Sequence, residues 1–315
     1  MDQITVRLDP AKFRDPILTA RGEPRASVTP RALETLWFNT GSLCNVTCQN
    51  CYIESSPRND RLAYLSHDEV RSYLNEIAQE NLPVTLIGFT GGEPFMNPEI
   101  IPMLEDALAR GLRVLVLTNA MKPMRRRRET LAALRGRHGQ RLAIRVSLDH
   151  YTPEVHEAER GQRTWKPAID GLVWLARNGF NVDVAGRRFT GEREHDVREG
   201  YARLFAELGI AVDAMDPVRL MLFPEMDSGR DVPEITTACW GILNKSPEDV
   251  MCASSRMVVK RKGAVRPAVV ACTLLPYDRD FELGATLAAA ARPVALNHPF
   301  CASFCVLGGA ACSRG

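Results

Sequence analysis

Three cysteines, Cys44, Cys48 and Cys51, stand in C-x3-C-x2-C spacing within the segment Cys44-Asn-Val-Thr-Cys48-Gln-Asn-Cys51-Tyr52. Three thiolates this close in sequence converge on one metal centre only if the backbone wraps it as a loop. Structural zinc takes four closed ligands, and catalytic zinc usually recruits histidine or aspartate. No histidine lies near this trio. A [4Fe–4S] cluster held by three cysteines keeps one iron open, where a small chelating molecule can bind.

About forty residues further on stands Thr90-Gly91-Gly92-Glu93-Pro94. Two glycines let backbone approach a ligand closely, and Glu93 offers an acceptor for an ammonium group. The other six cysteines, Cys239, Cys252, Cys272, Cys301, Cys305 and Cys312, all fall in the last 77 residues, and none lies between 52 and 238. Cysteine chemistry is therefore expected in two separate places.

The elements that must position these groups alternate along the chain. Short apolar runs at Leu36–Phe38, Val84–Phe89, Val114–Leu117, Leu142–Val146, Val182–Ala185 and Ile210–Met215 read as strands. Helical periodicity separates them at Ile101–Ala109, Thr130–Leu134, Ala168–Ala176 and Tyr201–Leu208, and Ser66 with Glu69 forms a capping box before Val70, Tyr73, Leu74 and Ile77. Alternation with short links predicts parallel strands and right-handed crossovers. Six units fit between 35 and 216, which suits a partial (β/α)6 TIM-type barrel; a doubly wound open sheet would give a similar string. Residues 1–34, rich in proline and charge, read as a loose lead-in. Residues 217–315 read as a small α+β unit in which Met257–Lys260 and Val265–Val270 form a hairpin around Gly263.

The trio and the Gly91–Pro94 segment together resemble the radical S-adenosylmethionine (SAM) superfamily, whose CxxxCxxC motif is followed by an aromatic residue, here Tyr52, and later by a GGEP motif. The resemblance covers about residues 35–216. It implies that Cys44, Cys48 and Cys51 hold a [4Fe–4S] cluster, and that Gly91, Gly92, Glu93 and Pro94 hold the amino group of SAM. It further implies that Asn119, Ser147, Asp149 and Met215, at strand ends, approach the ribose, methionine or adenine, with Arg160 at the SAM carboxylate. One electron from the cluster would then cleave SAM to methionine and a 5′-deoxyadenosyl radical, which abstracts hydrogen from a substrate. No catalytic side chain is assigned.

The later cysteines are similar to the SPASM/twitch branch of that superfamily, where a hairpin is flanked by two cluster ligands and a close pair supplies the rest. Cys252 and Cys272 bracket the hairpin here, and Cys301 with Cys305 would be the pair, although C-x3-C departs from the commoner C-x2-C. Cys312 is the alternative fourth ligand. Six cysteines suffice for one auxiliary [4Fe–4S] cluster and not for two fully ligated ones. Zinc and scattered buried thiols are the competing readings.

Partners implied by the resemblance are a flavodoxin- or ferredoxin-type electron donor and a peptide or small-molecule substrate. Many peptide-modifying relatives carry an N-terminal winged-helix domain; the residues before Trp37 are read as too few to hold one, which weakens but does not exclude the expectation of a peptide substrate. Net charge is +2, which gives no argument for nucleic acid or an anionic membrane. No apolar run reaches about 18 residues, and the N-terminus lacks a secretory core, so a cytoplasmic setting is expected. Arg125–Arg128 reads as a solvated helix flank, or as a dock for an acidic donor. The six histidines show no metal spacing. A non-catalytic Fe–S electron carrier or a zinc-binding interaction module is the alternative to an enzyme.

Overall fold

The computed structural model describes residues 7–308 except 226 and 228. Nine strands form one sheet. Six of them make a parallel series: β2 (Thr35–Asn39), β3 (Leu86–Thr90), β4 (Arg113–Thr118), β5 (Leu142–Ser147), β6 (Asn181–Arg188) and β7 (Leu220–Pro224). The helices are α1 (His67–Gln79), α2 (Ile100–Ala109), α3 (Lys122–Arg125), α4 (Arg128–His138), α5 (Pro153–Arg160), α6 (Trp165–Arg177), α7 (Glu194–Leu208) and α8 (Cys239–Leu243). This is the partial (β/α)6 barrel that the alternation predicts. Central strands are apolar on both faces because the interior of the sheet and its helices bury both; every residue of β2 and β3 is buried.

Local chemistry fixes several of these elements. Ser66 and Glu69 form the expected capping box of α1, whose buried stripe is Val70, Tyr73, Leu74 and Ile77. In β3 a Cβ on Gly88 would come within 2.2 Å of the Trp37 ring. Glycine is therefore what lets the large indole of β2 lie across its neighbour.

The sixth strand departs from expectation. Residues 210–215 alternate buried and exposed, as a strand would, with Ile210, Val212 and Ala214 inside. They pair with no strand among the described residues; Arg219 ties the entry into β7 to β6 through bonds to Asn181 Oδ1 and Val182 O. The paired segment is β7, which begins five residues after Met215 and lies beyond residue 216.

The hairpin forms as predicted, from β8 (Ser255–Val259) and β9 (Ala268–Val270). It is not set apart from the barrel sheet. β8 pairs parallel to β2, and β10 (Glu282–Gly284) then extends the sheet antiparallel to β9. The lead-in is also ordered: β1 (Ser27–Val28) pairs with β11 (Val294–Ala295). Arg25 anchors it, buried against Glu234 and donating to the carbonyls of Asp15 and Leu18. A buried guanidinium is tolerated there because its N–H groups are satisfied.

Candidate metal centre and cofactor cavity

In a parallel sheet the loops that follow the strands share one end, so residues far apart in sequence meet there. The loop after β2 carries Cys44, Cys48 and Cys51; β3 ends at Gly91-Gly92, β4 at Asn119, β5 at Ser147 and β6 at Arg187. All of these, with Tyr52 and Arg160, line one cavity. Of the expected residues, Asn119, Ser147 and Arg160 thus come together, and Arg187 from the end of β6 joins them.

The glycines work through the backbone. A Cβ on Gly92 would sit 2.1 Å from Leu43 O, and one on Gly91 2.5 Å from Gly41 O. Gly92 N–H donates to Gly41 O and Glu93 N–H to Leu43 O, at 2.8 and 3.1 Å. The Gly-Gly pair therefore packs the third-strand loop against the chain that delivers Cys44. Cys44 is further tied by its N–H to Ser56 O at 3.1 Å, and the Asn119 amide lies 3.9 Å from its sulfur.

Glu93 lies behind the cavity wall. Its carboxylate accepts from Thr118 Oγ1 at 2.8 Å, Asn119 N–H at 2.9 Å and Phe95 N–H at 3.1 Å, and it caps the turn at Pro94–Met96. Pro94 is buried as the first residue of that turn. Burial pushes the Glu93 carboxyl up to about 7 against the pull of those donors. The donors to Glu93 come from the end of β4 and the turn after β3, and Gly91 and Gly92 line the cavity in front of it.

Asp149 also stands back from the cavity. Arg160 Nε lies 2.7 Å from Asp149 Oδ2, with a better directed bond from Arg160 Nη2 to Oδ1 at 3.2 Å. Burial would raise Asp149, yet Arg160 and Arg187 hold it below the usual carboxylate range. Asp149 aims Arg160, and Arg160 faces the cysteines. Met215 is half-exposed in the link before β7, at the opposite end of the sheet, and is not among the cavity residues.

The donor set fits an iron–sulfur cluster better than zinc. The three sulfurs do not all lie within 4.8 Å of one another, whereas zinc bonds of ~2.3 Å would draw tetrahedral sulfurs to roughly 3.8 Å. Burial pushes the Cys44 thiol up to about 12 and the Cys48 thiol to about 11. Thiolates there need a bound cation to exist near neutrality.

The second cysteine group also converges. Cys252, Cys272, Cys301 and Cys305 line one small pocket with Val250, Phe281 and Leu296 among its walls. No three of them come within 4.8 Å of one another, again wider than zinc. Cys301 and Cys305 lie on a single π-helical turn, Cys301–Val306, closed by Leu307 N–H to Ala302 O at 2.8 Å. This winding carries the extra residue of C-x3-C and turns both sulfurs to the same pocket. Cys239 stays outside, its sulfur accepting from Thr236 N–H at 3.4 Å. Cys312 lies outside the described residues.

A partial parallel barrel with three cysteines beside a glycine turn, at the end where the strands finish, defines a cofactor-dependent Fe–S class. The family model described as Radical SAM superfamily matches residues 38–204, and the chain belongs to that superfamily. It is similar to the antilisterial bacteriocin subtilosin biosynthesis protein AlbA of Bacillus subtilis (strain 168), 31% identical over 149 residues, 47% of this chain and 32% of that one. It is also similar to the mycofactocin maturase MftC of Mycobacterium tuberculosis (strain CDC 1551 / Oshkosh), 28% identical over 137 residues, 44% and 33% of the two chains. The matched stretch spans about a third of each relative. Among solved structures, Streptococcus suis SuiB bound to S-adenosylmethionine superposes with TM-score 0.57 at 13% identity, covering 81% of this chain and 63% of that one. Polyhistidine-tagged anSMEcpe with bound AdoMet gives TM-score 0.57 at 14% identity, covering 82% and 79%. Among the described residues no helix is long and apolar enough to cross a membrane.

Proposed function

We propose that this chain is a radical SAM enzyme that carries one auxiliary [4Fe–4S] cluster and modifies a peptide or small molecule by hydrogen abstraction. The observation that carries the reading is the convergence of Cys44, Cys48 and Cys51 with Gly91, Gly92, Asn119, Ser147 and Arg160 on one cavity. When bound and reduced, the cluster would supply the electron that splits SAM into methionine and a 5′-deoxyadenosyl radical. The protein's part is to hold and orient. Arg160, aimed by Asp149, offers a guanidinium to a carboxylate, and Gly91-Gly92 presents backbone to an ammonium.

Cys252, Cys272, Cys301 and Cys305 are read as the auxiliary ligands, since four sulfurs share one pocket. The relatives' names include a bacteriocin biosynthesis protein, a mycofactocin maturase and an AdoMet-dependent heme synthase, which keeps both substrate classes in view. A flavodoxin- or ferredoxin-type donor is the expected reductant. Arg125 and Arg126 are exposed just beyond the Asn119 strand end and offer such an acidic protein a cationic surface.

The test compares reconstituted wild type with a Cys44→Ala/Cys48→Ala/Cys51→Ala variant under dithionite and SAM. Wild type should release 5′-deoxyadenosine and the variant none, while the variant keeps about four of some eight irons. Wild type that forms no 5′-deoxyadenosine above the variant would leave the non-catalytic Fe–S carrier as the function. A variant without iron would remove the auxiliary cluster.

A further inference from the structure

The two residues between the second and third cysteines, Gln49 and Asn50, are held by one residue from another element. Gln49 N–H donates to Glu159 O at 2.7 Å. Asn50 N–H donates to Glu159 Oε1 at 3.0 Å, and Asn50 Nδ2 donates to Oε2 at 2.9 Å. Glu159 is 3% exposed. It occupies the penultimate position of α5, next to Arg160.

A buried carboxylate needs a counter-charge, and Arg187 supplies it from the end of β6. The guanidinium lies 3.4 Å from Glu159 Oε1 and also donates to Asn50 O at 3.4 Å. Asn50 is therefore gripped at its N–H, its carbonyl and its side-chain amide by two residues that ion-pair with each other. Arg187 also lies 3.9 Å from Asp149, the partner of Arg160. The grip on the cysteine loop and the aim of Arg160 are thus set by one buried charge network.

We propose that Glu159 is a positioning residue which, with Arg187, clamps the Cys48–Cys51 segment so that both sulfurs stay directed at one cluster. This rests on the reading that the trio holds that cluster. An x2 link has little slack, and its amides would otherwise face water or collapse onto the sulfurs. The Glu159 carboxylate satisfies both donors of Asn50 with charge-assisted bonds, about twice as strong as neutral ones.

The test uses full-length protein reconstituted anaerobically as wild type, Asn50→Asp, Glu159→Gln and the Asn50→Asp/Glu159→Gln double variant. The readouts are the rate of iron loss to a chelator and the change in the EPR spectrum of the reduced cluster on adding SAM, with circular dichroism as the check on folding. Asn50→Asp sets two carboxylates face to face, so iron loss from the SAM-responsive cluster should quicken about tenfold or more. Glu159→Gln should quicken it a few-fold. The double variant exchanges amide and carboxylate between the two positions, so the new amide can donate to the new carboxylate. Its iron retention should return to within roughly threefold of wild type. If Asn50→Asp keeps its cluster as long as wild type, or if the double variant is no better than Asn50→Asp, the clamp is wrong while the functional reading stands. A wild type that takes up no SAM-responsive cluster would sink the functional reading and the clamp with it.

Discussion

The two cysteine groups differ in whether polar side chains and glycine backbone join the apolar residues around them. Around Cys44, Cys48 and Cys51 the walls mix glycine backbone, amide, hydroxyl and two arginines with Val46, Tyr52, Ile53 and Leu117, and the buried acids Glu93, Asp149 and Glu159 stand behind them. Around Cys252, Cys272, Cys301 and Cys305 the walls are valine, methionine, alanine, leucine and phenylalanine. Polar walls suit a site that must admit and release a charged small molecule, because each group of that molecule finds a partner as it leaves water. Apolar walls suit a centre that stays put, since nothing there competes with the sulfurs and solvent is kept out. On the proposed function, the contrast is between an exchange site and an apolar-walled, enclosed site for a retained cluster.

The largest effect that would sharpen this contrast is loss of the enclosed centre alone. In Cys301→Ser/Cys305→Ser, iron should fall from about eight to about four per chain, while SAM cleavage without substrate persists. A fall to zero would show that the two sites fold as one. Next in size is Arg160→Ala. It leaves the buried Asp149 with the more distant Arg187, 3.9 Å away, as counter-charge, and should cost about 3 kcal/mol, the low end for a broken buried pair, in denaturant unfolding of the metal-free protein, with SAM affinity reduced as well. Arg160→Ala at wild-type stability would mean that the charge network is solvated.

Third comes a pH effect confined to the exchange site. The Glu93 carboxyl is raised by burial from its ordinary 4.5 to about 7. A raised acid binds its proton more tightly in the folded state, so its contribution is complete below about 4.5 and is lost as pH rises through about 7. Unfolding free energy of the metal-free protein should drop by roughly 3 kcal/mol at most across that window and then level off. Glu93→Gln should flatten the slope, and an unchanged slope would assign it to another group.

Much of this is legible from residue types alone. The first five barrel strands, the capped α1 and the C-terminal hairpin follow from apolar runs and turn chemistry. The Ile210–Met215 segment shows the limit: alternation reports which side chains are buried, and a strand also needs a partner, which is a long-range property. Helix α5 escapes the apolar pattern for the converse reason. Its inward residues are His156 and Glu159, so no apolar stripe marks it. Pro153 at its first turn and Gly161 just past its end, with φ +98°, are the available signals. The roles of Glu93, Asp149 and Glu159 depend on which atoms meet across the strand ends. Sequence spacing does not encode that. The parallel pairing of β8 with β2, which joins the hairpin to the barrel, is unreadable for the same reason.

The smallest expected effect concerns how the enclosed site is attached. Phe304, between Cys301 and Cys305 on the π turn, is fully buried and stacks on Phe223 of β7, ring centroids 5.6 Å apart at 26°. β7 is the last barrel strand, so this pair fixes the turn that aims both sulfurs to the edge of the sheet opposite the hairpin. A double-mutant cycle with Phe223→Leu and Phe304→Leu should return a coupling of about 0.5–1.5 kcal/mol in denaturant unfolding. Because Phe304 sits on the turn that carries Cys301 and Cys305, while Phe223 is the ladder partner of Arg187, the Phe304→Leu variant should lose its second set of irons faster while the SAM-dependent EPR change keeps its wild-type form. Equal loss from both centres would mean that the turn supports the whole sheet, and the separation between exchange site and enclosed site would then be one of lining and not of stability.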